Sequence, residues 1–149
     1  MTSPRREKCH WLNPNFVAKS LGKEWGIDGL IWLDGDSSKL GRWAIMGVDP
    51  IKQICCHGLP NNTKDPNPFD ELRSIETGHW TGWLSYEAGA WIEPNNPWKP
   101  DNIATLWLGK HDPIFKFDLK NQELWLEGLD EKRFEVFLKY IDQITSNEI

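Results

Sequence analysis

Between residues 114 and 144 the spacing of apolar residues changes once, and that change limits the folds open to the chain. In IFKFDLKNQELWLEG, Phe115, Phe117 and Leu119 alternate with Lys116 and Asp118; Leu124 and Leu126 then alternate with Glu123, Trp125 and Glu127. A period of two sends successive side chains to opposite faces, so this stretch reads as a hairpin with one wet face. Past Gly128 the period becomes helical. Phe134, Phe137, Leu138, Ile141 and Ile144 fall on one stripe opposite Glu135, Lys139 and Asp142, with Asp130 as N-cap. Such a stripe must dock on something.

Upstream, the signals are short strands between turns. GLIWLD (29–34) and RWAIMGVD (42–49) are continuous apolar runs, the mark of strands buried on both faces, and they make a hairpin over a seven-residue loop. IKQICCH reads as a third strand, GLPNNTKDPNP as an irregular loop, and PFDELRSIE as a short helix opened by Pro68 and ended by Gly78. TGWLSYEAGAWIEP reads as strand then helix, EPNNPWKPDN as a loop stiffened by proline, and IATLWLG as another buried strand. Asn13 caps a short helix over FVAKSLGKEW, and the basic cluster Arg5, Arg6 and Lys8 before it reads as a frayed terminus. Six or seven strands and three or four short helices predict an α+β fold. It is built on a mostly antiparallel sheet with a few short flanking helices and a C-terminal amphipathic helix. The 149 residues fit one domain, 1–149.

Charge narrows the partners. Twenty-two acidic against seventeen basic side chains give a net charge of -5, which is no footprint for a polyanion, so nucleic acid is not an expected partner. No apolar run is long enough to span a bilayer, and the expected location is the cytoplasm, away from membranes. Three cysteines, Cys9, Cys55 and Cys56, are poor material for a disulfide framework and are expected as reduced thiols. Ten tryptophans, most inside apolar runs, are expected to do in the core what Leu and Ile do elsewhere.

Catalytic and metal signatures are weak. On a strand, at most Cys55 and His57 of Cys55-Cys56-His57 share a face, and a second ligand pair is missing; they read as small core residues followed by a surface histidine, with no metal expected. Ser85 is not in a G-x-S-x-G elbow, the four histidines are isolated, and no G-K-[ST] loop occurs. The best candidate is the loop 34–41. Asp34 and Asp36 can accept from a ligand ammonium, Gly35 allows close approach, and Trp43 can wall a ring. Asp, Gly and Ser are also what a hairpin loop needs for its own turns, and residue types alone favour that use.

WLDGDSSKLGRWAIMGVDP followed by GWLSYEAGAWIEP resembles the N-terminal domain of the chorismate-aminating enzymes, component I of aminodeoxychorismate (para-aminobenzoate) synthase and of anthranilate synthase. The family pattern of Leu and an acid, then G-R-Y-S-hydrophobic-x-G-x-D-P, then G-x-x-G-Y-L-x-Y, is matched by Leu33-Asp34-Gly35, by Gly41 to Pro50, and by Gly82 to Glu87. The resemblance covers the chain from about residue 28 and implies one half of a β-sandwich-like architecture. It implies that chorismate, Mg2+ and the acid/base groups belong to a C-terminal chorismate-binding domain not present here. Catalytic residues and cofactors are therefore expected to be none in this chain, a truncated or split form. The implied partners are that chorismate-binding domain and, through the whole enzyme, a glutamine amidotransferase subunit. A tryptophan pocket is implied at Leu33, Asp34, Gly35, Arg42 and Trp43. Gly35 stands where the family carries Ser, and Trp43 where it carries Tyr or Phe. The short LDGD form points to the para-aminobenzoate branch. The alternatives are the anthranilate branch, a stand-alone tryptophan-binding regulatory domain, and a hydrolase using Ser85 or a histidine.

Overall fold

Strand signals on both sides of residue 50 resolve into two separate antiparallel sheets. The computed structural model describes residues 3–60, 65–93, 95, 97–99 and 102–148. It is an α+β fold with a five-stranded and a three-stranded antiparallel sheet, short helices and a long C-terminal helix. The chain divides into two compact units, one of Met1–Pro50 with His111–Ile149 and one of Ile51–Lys110.

The first unit holds β1 (Arg5–Cys9), α1 (Pro14–Trp25), β2 (Ile31–Leu33), β3 (Trp43–Gly47), β7 (Ile114–Asp118), β8 (Glu123–Gly128) and α3 (Glu131–Glu148). Its sheet runs β1-β8-β7-β3-β2. The period-two reading holds: Phe115 lies opposite Leu126 and Phe117 opposite Leu124, so one face carries all four apolar side chains. That face, with Ala44 and Met46 from β3, forms the core with Val17 and Leu21 of α1 and Phe134, Phe137, Ile141 and Ile144 of α3. Asn13 caps α1 through its side chain, with Pro14 in the first turn; Asp130 accepts from Arg133 N and caps α3.

Three expectations need correction. Arg5–Cys9 is an edge strand paired with β8, not a frayed end. Its charges are placed: Arg5 bonds Glu7, Glu131 and Glu135 and lies over the Phe134 ring, Arg6 pairs with Glu127 across the strands, and Lys8 with Glu123. The hairpin strands 31–33 and 43–47 are not buried on both faces, since Leu33 and Trp43 are 52% and 45% exposed. Nor do the tryptophans make the core. None of the ten is fully buried: Trp11, Trp25 and Trp32 pack against the core from its margin, and its large sealed apolar side chains are Phe, Leu, Ile, Val and Met. An indole has a polar N–H that must reach a partner, which favours the margin: Trp80 donates to Glu76 O, Trp83 to Ala104 O and Trp98 to Glu93 O.

The second unit holds β4 (Lys52–Cys56), α2 (Pro68–Arg73), β5 (Trp80–Leu84), a 3-10 helix at Tyr86–Trp91 and β6 (Leu106–Lys110). Its strands lie in the order β4-β6-β5. The glycine at 82 permits this pairing, because a Cβ there would lie 1.8 Å from Trp107 O. Asn67 caps α2, and Asp70 and Glu71 occupy its first turn, although the helix ends at Arg73, short of Gly78. Part of the expected GLPNNTKDPNP and EPNNPWKPDN loops lies outside the described residues.

Candidate functional site

The loop between β2 and β3 is closed by its own short polar side chains. Asp34 accepts from Gly35 N at 2.9 Å, Asp36 from Ser38 N at 2.9 Å, and Ser38 Oγ from Gly41 N at 3.0 Å, while Ser37 N donates to Gly41 O at 3.0 Å. Ser37 takes a positive φ of 69° inside this ring of bonds. The Ser38 hydroxyl and backbone hold the Asp36 carboxyl below its usual range. Gly35 is where the loop crosses itself. A Cβ there would meet Gly41 O at 2.2 Å and Trp43 O at 2.8 Å. The Ser of the resembling family has no room at this position.

Arg42 and Trp43 leave the loop in different directions. The Arg42 guanidinium lies in a bidentate pair with Asp118, at 2.9 Å from Nε and 2.6 Å from Nη2. Asp118, counted above on the wet face of its strand, is only 2% exposed and also accepts from Lys120 N, Asn121 N and Asn121 Nδ2. Arg42 first, then these donors, hold its carboxyl far below the ordinary range against the desolvation of burial. Trp43 lies on the open face of the sheet. There it lines a depression of about 640 Å3 with Arg6, Ile45, Lys116 and Glu127. Asp34 and Gly35 line another, of about 560 Å3, with Asp36, Ser38, Leu40 and Gly41.

The five sequence-derived positions share one hairpin but part company there: Trp43 lines one depression, Asp34 and Gly35 line the other, Arg42 is paired with Asp118, and Leu33 is half exposed at the end of β2. Among the described residues they converge on no common cavity. Sequence reasoning missed Asp118 and Arg133. Arg133, on α3, donates through Nε to Asp112 O at 2.7 Å and through Nη2 to Asp49 O at 2.6 Å, with Nη1 at 3.2 Å from Asp49 Oδ2. The Arg42–Asp118 and Asp49–Arg133 pairs each join residues more than seventy positions apart. No local spacing announces such a pair.

The remaining chemistry-bearing residues lie elsewhere. Ser85 is the N-cap residue of the 3-10 helix, and its buried Oγ has no hydrogen-bond partner among the described residues, so no base addresses it. Among the described residues no group of three or more His, Cys, Asp and Glu is placed to hold a metal ion, and no helix is long and apolar enough to cross a membrane. Cys56 is buried as expected, but Cys55 is exposed and stands 3.2 Å from His57 Nε2. Compared with known proteins, the chain matches no family model and no curated protein.

Proposed function

We propose that this chain is a noncatalytic scaffold domain, equivalent to the N-terminal domain of component I of aminodeoxychorismate synthase, which supports amination of chorismate by residues outside it. The observation that carries the reading is where the motif residues are spent. Arg42 ties the start of β3 to Asp118 at the end of β7, and Asp49, past the end of β3, is tied to Arg133 on α3. Gly35 lets the loop cross Gly41 and Trp43 at backbone distance. Each of these motif positions braces a strand end and presents no reactive group. Meanwhile Leu33, Trp43 and Ile45 lie on the sheet face opposite the helices, two of them about half exposed. A partner domain covering that face would bury apolar surface of the kind interfaces use. The LDGD form favours the para-aminobenzoate branch over the anthranilate branch, and the cytoplasm is the proposed location.

Two measurements test this. The purified chain with chorismate and ammonia is expected to give no product; added to an isolated chorismate-binding domain of an aminodeoxychorismate synthase, it is expected to bind at micromolar concentration and raise turnover. Unaided conversion of chorismate, or no association at that concentration, overturns the reading. Calorimetric titration with tryptophan addresses the ligand-binding alternative. Because Arg42 is engaged by Asp118 and Gly35 lacks a hydroxyl, silence is expected.

A further inference from the structure

The pleat of β4 sorts a run of three residues by face. Cys56 points into the second unit and is 1% exposed, whereas Cys55 and His57, two residues apart, point out together. Cys55 Sγ stands 3.2 Å from His57 Nε2, within reach of proton transfer, and both side chains are exposed. β4 is an edge strand of its sheet, and Cys55 on it is exposed. Its other neighbours are fixed. Trp107 lies opposite Cys55 on β6, donates through Nε1 to Gln53 Oε1 at 3.2 Å and stacks on Trp83 with ring centroids 5.2 Å apart. The thiol therefore has a base on one side and a held apolar wall on the other.

We propose that Cys55, with His57 as its base, is a reactive thiol that exchanges with small disulfides to form a mixed disulfide. The Cys55 Sγ proton passes to His57 Nε2, and the thiolate attacks one sulfur of a disulfide RS–SR. The new Sγ–S bond forms as the old S–S bond breaks, and the departing RS⁻ takes the proton from His57 and leaves as RSH. The disulfide is reduced by one thiol equivalent and Cys55 is oxidised to the mixed disulfide, so no further oxidant enters. Trp107 offers the R group an apolar surface beside the reacting sulfur. The other two thiols provide an internal contrast. Burial, with Asp142 and Glu7 nearby, pushes Cys9 up to about 11, and burial also raises Cys56.

The test uses the full chain and oxidised 2-mercaptoethanol, a neutral small disulfide, read by intact mass and peptide mapping. One adduct, on Cys55, is expected, with none on Cys9 or Cys56 and none in Cys55→Ser. His57→Gln keeps a polar group of similar reach but no base. It is expected to slow the reaction about tenfold near pH 7, where an unassisted thiol is only a few per cent thiolate. Near pH 10, where any exposed thiol is ionised, the two proteins should react alike. Adducts on Cys9 or Cys56 at a similar rate, equal rates for His57→Gln and wild type at neutral pH, or a gap that persists near pH 10 would each overturn the proposal.

Discussion

Asp118 ends β7 with both carboxylate oxygens committed, to Arg42 and to three donors of the following turn. Because its folded-state pKa is depressed, the stabilisation it gives is present in full above the unfolded value of about 3.9 and is lost as pH falls below it. Asp118→Asn keeps the shape and removes the charge. It should melt below wild type at about pH 7, with the gap narrowing steadily once pH drops under about 4; a gap independent of pH would show that the charge does not matter. Gly35 is held by a different constraint, namely space. The atoms that a new methyl would meet, Gly41 O and Trp43 O, are backbone and cannot swing aside. Gly35→Ala should cost about 1–3 kcal/mol in denaturant unfolding. Leu40→Ala, five residues on in the same loop but fully exposed, should stay within about 0.5 kcal/mol.

Among the elements, α3 joins the two layers of the first unit. Phe137 stacks on Trp25 of α1 with ring centroids 4.4 Å apart and meets Phe115 of β7 edge-on at 6.1 Å. Tyr140, one turn on, reaches Ser20 O with its hydroxyl at 2.8 Å and meets Trp25 edge-on. Phe137→Ala should destabilise the protein by about 3–5 kcal/mol, because the rings around it cannot all collapse into the space. Val136→Ala, its half-exposed neighbour, should be nearly neutral. α3 and the β7–β8 hairpin were legible in the sequence because their periods are local and their two faces differ in polarity. β1 was not. Its alternation of Arg5, Glu7 and Cys9 with Arg6 and Lys8 becomes meaningful only against Glu127, Glu123, Glu131 and Glu135, all more than a hundred residues away. The same limit applies to the candidate site. Residue types placed Asp34, Gly35 and Trp43 on one loop, but that Arg42 is engaged by Asp118 depends on β3 pairing with β7 across the whole second unit.

For the whole molecule, that pairing implies that the second unit is an insertion. β3 and β7 are hydrogen-bonded neighbours in the first unit, yet residues 51–110 come between them in the chain. The insertion begins and ends at one place, since Ile51 N donates to Lys110 O at 2.8 Å. Its two ends are therefore close enough for a short bridge, and the entropy of closing such a loop depends only weakly on its length. Among the described residues, the core of the first unit draws its buried side chains from α1, α3, the strands β1, β3, β7 and β8, and Leu12 and Val48, all of that unit. Asp49 keeps Arg133, and His111 Nε2 stays 2.7 Å from Gly29 O, whichever chain joins Pro50 to His111. Replacing 51–110 with a glycine-serine linker of about four residues should thus give a protein that unfolds in a single cooperative transition, with helical circular dichroism from α1 and α3 retained. A broad, non-cooperative melt would mean that the five-stranded sheet requires the insertion, and would show that the two compact units fold as one.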